Sequence, residues 1–244
     1  MPDPRTEHPI ERTTAGRRRV ASSVLLTLPV LLLFLAGGGP LREEGCIAFQ
    51  SDRDGNWELY LMQADGRGQR RLTHTAAEEW LPRWSPGGDR LAFTANYDGR
   101  WDIYTLDARW PARVIPITDH PGPNADPIWS PDGRQIAFSS VHSGNWEVYR
   151  VALVTDDGAP PPLNLTDHPA DDWLPAWAGD HLAFVSDRDG NWEIYLLDPD
   201  ARGKPPVNLT DHPADDWVPA WAPAGRPRLA FQSNRDGNWE IYLL

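Results

Sequence analysis

From residue 46 onward the apolar positions come in short runs separated by turn-forming residues, and nowhere with a helical period. The run IAFQSDRDGNWELYLM begins at Ile47. It returns as LAFTANYDGRWDIYTL from Leu91, IAFSSVHSGNWEVYRV from Ile136, LAFVSDRDGNWEIYLL from Leu182 and LAFQSNRDGNWEIYLL from Leu229, with starts 44, 45, 46 and 47 residues apart. Each copy predicts an apolar strand (IAFxS), a tight hairpin at Asp-Gly-Asn, and a second strand (WEIYLL) with Trp and Ile on one face and Glu and Tyr on the other. Between copies a second string recurs: LTDHPADDWLPAW from Leu165, LTDHPADDWVPAW from Leu209, and looser versions from Leu72 and Ile117. Its PAW or PIWSP end predicts a short strand before the next apolar run, and its NLT or RLT start a short closing strand. The sum is four strands per unit.

A period of this length fits a four-stranded propeller blade. One such sheet cannot bury both its faces, so units must lie against their successors around an axis. The expected fold is therefore all-β, a propeller of about five blades over residues 46–244. If the strands follow this order, the first blade lacks its innermost strand and the last its outermost. The favoured expectation is a closed five-bladed ring with two three-stranded blades; the alternative is an open arc completed by a partner or a second copy.

The residues before the repeats read as an address. Residues 1–19 are polar and end in three arginines, residues 20–36 form a 17-residue apolar stretch expected to be helical, and residues 37–45 form a linker. A basic segment followed by an apolar one is either a cleaved signal peptide or an uncleaved signal anchor. The arginines place the N-terminus inside and the remainder outside, periplasmic or at the cell surface, in both cases.

The string WSPDGRQIAFSS from Trp129, followed by GNWEVY from Gly144, and its four relatives resemble the WD-repeat-like blades of the TolB β-propeller family over residues 47–244. The resemblance implies a propeller used for periplasmic protein interaction or as the gating domain of a peptidase. The chain departs from TolB in lacking the α/β domain that precedes the propeller there, and it carries no hydrolase domain.

Composition narrows the function classes. A net charge of −12 argues against nucleic acid, which demands clustered Lys and Arg, and favours a protein or peptide partner with a cationic surface. Cys46 is the only cysteine, so there is no intramolecular disulfide, and no cofactor is implied. No nucleophile elbow, HExxH helix or phosphate-binding glycine loop is present, so no catalytic residue is assigned.

The candidate site is a rim on the face where the hairpins joining second and third strands meet the crossovers between blades. Its acids are Glu79, Asp126, Asp172 and Asp216, with Glu78, Asp171 and Asp215 beside them. Its histidines are His120, His168 and His212, with His74 in the same string. Trp80, Trp173 and Trp217, expected in the crossover loop, offer rings to a peptide or, in a lectin-like alternative, to a carbohydrate. The plain alternative is that these residues only cap and turn the crossover. The alternating acids of the hairpin, Asp52 and Asp54 with Asp187 and Asp189, raise a weaker calcium reading whose spacing is not that of an EF-hand. Against it stands a simple hairpin in which Arg53, Arg188 and Arg235 pair with neighbouring carboxylates.

Overall fold

The computed structural model describes residues 45–108, 113–153, 160–201, 203–222 and 228–244. The basic segment, the apolar stretch and nearly all of the linker lie outside the described residues, as does Trp110. No helix occurs among the described residues, and thus none long and apolar enough to cross a membrane.

Eighteen strands form five antiparallel sheets in chain order. Blade 1 has β1 (Cys46–Ser51), β2 (Glu58–Gln63) and β3 (Arg70–Arg71). Blade 2 has β4 (Glu79–Trp84), β5 (Arg90–Ala95), β6 (Asp102–Asp107) and β7 (Val114–Pro116). Blade 3 has β8 (Asn124–Trp129), β9 (Gln135–Ser140), β10 (Glu147–Ala152) and β11 (Leu163–Asn164). Blade 4 has β12 (Asp172–Ala178), β13 (His181–Ser186), β14 (Glu193–Leu197) and β15 (Val207–Asn208), and blade 5 has β16 (Asp216–Trp221), β17 (Leu229–Ser233) and β18 (Glu240–Leu243). The fold is the expected five-bladed propeller, with the first and last blades three-stranded.

The core lies between blades, and the two-residue period of each second strand builds it. In β13, Leu182 and Phe184 pack with Ala137 and Val148 of blade 3, while Ala183 and Val185 pack with Leu229 and Phe231 of blade 5. Phe93, Phe138 and Phe184 are almost wholly buried at the same repeat position. Burying such a ring contributes on the order of 2–3 kcal/mol, so an inner blade such as blade 4 is stabilised by both neighbours.

The innermost strands are longer than the sequence suggests. They begin at Glu79, Asn124, Asp172 and Asp216, so Trp80, Trp173 and Trp217 lie within strands and not in the crossover loop. A bulge just before the proline makes this work: register with the second strand shifts between Trp80 and Arg83, Ala125 and Ile128, Trp173 and Ala176, and Trp217 and Ala220. The bulged residues Leu81, Asp126, Leu174 and Val218 have φ of 55°, 54°, 50° and 52°. The extra residue carries the strand past a proline that has no ladder donor to give. At two junctions the bulged N–H donates to the preceding blade, Leu81 to Gln50 Oε1 at 2.6 Å and Leu174 to Ser139 Oγ at 3.2 Å.

Each blade packs on the next in chain order, and no strand packing of comparable extent joins blade 5 to blade 1 among the described residues. The outward side of β18 is open, with Ile241 63% and Leu243 71% exposed. Among the described residues the strand packing thus follows the open arc and not the closed ring. Amides of β18 should accordingly exchange with deuterium about ten-fold or more faster than those of β14, which has a strand on both sides. Equal protection in the two strands would contradict this account.

Candidate functional site

One arrangement recurs wherever a crossover meets the preceding blade. The third strand opens with a carboxylate, Glu58, Asp102, Glu147 or Glu193, and all four side chains are buried. The crossover threonine hydroxyl donates to it in blades 2, 3 and 4: Thr118 to Asp102 at 2.8 Å, Thr166 to Glu147 and Thr210 to Glu193. The crossover backbone adds an N–H: Thr75 to Glu58 at 3.1 Å, His168 to Glu147 and His212 to Glu193 each at 2.8 Å. The hairpin asparagine closes the node, since Asn145 donates to the carbonyls of His168 and Ala170, and Asn191 to those of His212 and Ala214. Hairpin and crossover therefore do share one face.

The acids proposed for the rim divide in two. Glu79, Asp172 and Asp216 are completely buried at the start of the innermost strands. Arg188 donates through Nη2 to both oxygens of Asp172 at 3.1 and 3.0 Å, and Arg235 likewise to Asp216 at 3.1 Å each. Asp126, at the bulge, occupies a different repeat position and accepts from the Ser139 hydroxyl at 3.2 Å. Asp171 and Asp215 accept the backbone N–H of Trp146 and Trp192. His168 and His212 accept the N–H of Ala170 and Ala214 on Nδ1 at 3.1 Å, turning the crossover, while His120 lies with its ring 5.2 Å from that of His142.

The three tryptophans pack against others, Trp173 stacked and Trp80 and Trp217 tilted. Trp80 lies 4.9 Å from Trp57, Trp173 3.9 Å from Trp146 and Trp217 4.6 Å from Trp192, each pair joining one blade to the next. These rings act first as interblade contacts.

The hairpin acids are held as well. Tyr60 donates to Asp54 at 2.6 Å, Tyr195 to Asp189 and Tyr242 to Asp236. Asp187 accepts the N–H of Asp171 at 3.0 Å. No group of three His, Cys, Asp or Glu side chains converges on a metal position among the described residues. The hairpin arginine lies over a Phe–Tyr pair, Arg188 at 5.3 Å from the Phe184 ring and 4.7 Å from the Tyr195 ring. Arg53 and Arg235 do the same in their blades, and this cation–π role was not legible in the sequence. Arg53 differs from the other two in one respect. Its blade has no innermost strand, and it bonds to Gln69 at 2.5 Å where Arg188 and Arg235 have an aspartate.

The fold leaves a second set of acids on the same face exposed: Asp52, Asp54, Asp167, Asp189, Asp211 and Asp236. Asp167 and Asp211 have φ of 40° and 39° just after the asparagines that accept their N–H groups, Asn164 and Asn208. That turn points both carboxylates to solvent. They are the acids that the repeat pattern alone did not separate from the buried ones.

Two outcomes follow from this geometry. Asp172→Asn leaves the Arg188 charge without its partner and should lower stability by about 3 kcal/mol, whereas Asp167→Asn should change it by less than about 0.5 kcal/mol, both read from denaturant unfolding. Burial pushes the Glu79 carboxyl up from its ordinary 4.5 to about 7, with the charge of nearby Glu58 adding to the rise and the Thr75 hydroxyl opposing it. The folded state therefore holds a proton that the unfolded chain releases, and stability should fall as pH rises from about 4.5 through 7. Glu79→Gln should flatten that part of the pH profile of thermal unfolding; an unchanged slope would remove Glu79 as its source.

Residues 75–168 match the model of the TolB beta propeller domain. No curated protein matches the sequence. Among solved structures, TolB from Acinetobacter baumannii superposes with a TM-score of 0.65 at 21% identity, covering 82% of this chain and 50% of that one. A putative TolB from Agrobacterium tumefaciens gives 0.53 at 27% identity, covering 82% and 61%. A puromycin-hydrolyzing peptidase of Mycobacterium tuberculosis gives 0.62 at 17% identity, covering 82% and 36%. The chain thus spans about half to three-fifths of the length of the TolB structures it resembles. Residues 75–168, which hold blades 2 and 3, thus carry the sequence of a TolB beta propeller domain, and the five-bladed fold is a β-propeller similar to that of TolB.

Proposed function

We propose that this chain is a non-catalytic protein-interaction module of the bacterial envelope, acting outside the cytoplasmic membrane and engaging a cationic protein or peptide surface with its acidic face. The observation that carries the reading is the division among the acids. The buried carboxylates are taken up by threonine, asparagine and arginine within the fold, while a second set on the same face is solvent-exposed: Asp54, Asp189 and Asp236 at the hairpins, each taking a tyrosine hydroxyl, and Asp167 and Asp211 at left-handed turns of the crossover. Clustered exposed charge of one sign speeds association with a surface of the opposite sign and rejects like-charged partners. The buried acids are taken up in structural hydrogen bonds, which supports binding over acid–base chemistry. Residues 1–36, basic and then apolar, support export and either a tether or a cleaved leader.

Capture from a bacterial envelope extract tests this, with the wild-type propeller compared with a double variant, Asp167→Lys with Asp211→Lys. A partner held at low salt should be lost at about 0.5 M salt and should bind the variant at least ten-fold more weakly. Retention indifferent to both salt and charge reversal would overturn the reading.

A further inference from the structure

Blade 3, flanked by blades 2 and 4, departs from the other hairpins at one place. In blade 4 the Arg188 guanidinium has four neighbours. It lies over the rings of Phe184 and Tyr195, donates through Nε to Ser186 Oγ at 3.0 Å, and donates through Nη2 to Asp172. Arg235 repeats all four contacts in blade 5. In blade 2 Tyr97 takes the arginine's place, its ring 6.5 Å from that of Phe93 and 4.7 Å from that of Tyr104.

Blade 3 keeps the receiving groups and lacks the arginine. Register sets Phe138 opposite Tyr149 and Asn124 opposite Ser140, as it sets Phe184 opposite Tyr195 and Asp172 opposite Ser186. The hairpin backbone is held alike, His142 N–H on Ser140 Oγ at 3.2 Å and Arg188 N–H on Ser186 Oγ at 3.3 Å. His142 stands where the arginine would, but its shorter side chain leaves the ring pair uncovered: its ring is edge-on to Tyr149 at 6.1 Å and 5.2 Å from that of His120. A cavity of about 60 Å³ remains, walled by Phe138, Ser140 and Tyr149, the counterparts of three of the four neighbours of Arg188, and by His120 and His142. That is room for roughly four water-sized groups, which matches the heavy atoms of a guanidinium. The fourth counterpart, Asn124, is fully buried; its Nδ2 is committed to Asp102 at 2.8 Å, and its Oδ1 accepts nothing among the described residues.

We propose that this cavity binds a guanidinium group, the arginine side chain of a protein or peptide partner, which lies on Phe138 and Tyr149 and donates to Ser140 Oγ and Asn124 Oδ1. Ring faces and neutral oxygens attract a planar cation. With an amide in place of the carboxylate that fixes Arg188, the guanidinium can enter and leave, as a recognition site requires. Blades 4 and 5 display the bound geometry with the chain's own arginines, which is why the ligand can be stated. The inference rests on the proposed role insofar as the partner is cationic, and it adds one position at which that partner is read by shape as well as by charge.

The probe is N-acetyl-arginine amide, titrated into the intact chain and followed through the imidazole resonances of His120 and His142. Saturable shifts with a Kd of about 10 mM or tighter are expected, and the neutral isostere N-acetyl-citrulline amide should give none over the same range. His142→Arg restores the arginine of the other blades, fills the cavity from within and should weaken binding at least ten-fold, read at His120. His142→Ala leaves the ring pair and both oxygens in place and should keep the affinity within about three-fold. No saturation by about 10 mM, equal binding of the citrulline amide, binding that survives His142→Arg, or binding lost with His142→Ala, as for a metal ion held by the two imidazoles, would each overturn the proposal. Capture of the envelope partner is a separate measurement: a failed titration with salt-sensitive capture intact removes the guanidinium site alone, and a saturable titration without capture removes the acidic collar alone.

Discussion

The buried carboxylate that opens the third strand of blades 1 to 4 is the interaction on which the rest of the structure depends. In a propeller the crossover must leave one blade's outer edge and return to the centre of the next, and its backbone groups would otherwise be stranded over an apolar face. Glu147 and Glu193 collect a threonine hydroxyl and a backbone N–H from that crossover, while the asparagine two residues earlier takes two of its carbonyls. A charged group can be buried there because its acceptor capacity is filled.

Once the crossover is fixed, the next innermost strand follows. Its backbone N–H meets the carbonyl of the tryptophan before the carboxylate, as Asp172 does with Trp146 at 2.8 Å and Asp216 with Trp192 at 2.7 Å. Where both blades carry a tryptophan the indoles then pack across the junction, and the bulge carries the strand past its proline. In blades 4 and 5 the acid that opens the innermost strand is buried in turn and paired with the arginine of its own blade's hairpin. Each blade thus positions its successor.

The same scheme leaves a second set of acids on the polar face in solvent. Asp172 and Asp167 lie five residues apart in one crossover, yet one is sealed inside a salt bridge and the other stands in solvent. A partner approaching that face would meet the collar of Asp167, Asp211 and the hairpin acids, and not the buried row beneath it.

The sequence by itself determined the blade: the alternation of apolar residues, the Asp-Gly-Asn hairpins and the repeat of about 45 residues are local properties, legible because strand period and turn chemistry act over a few residues. It also marked the incomplete blades at either end. What only the tertiary structure decided was which acids and tryptophans face water. Glu79, Asp172 and Asp216, together with Trp80, Trp173 and Trp217, read as loop residues because Asp, Pro and His favour turns. They proved to lie in strands because a bulge before each proline extends the innermost strand, and because the preceding blade covers its start. Burial of a polar residue is set by a neighbour some 20 residues or more away in the chain, as Asn145 and Ala170 show, and no local pattern carries that information.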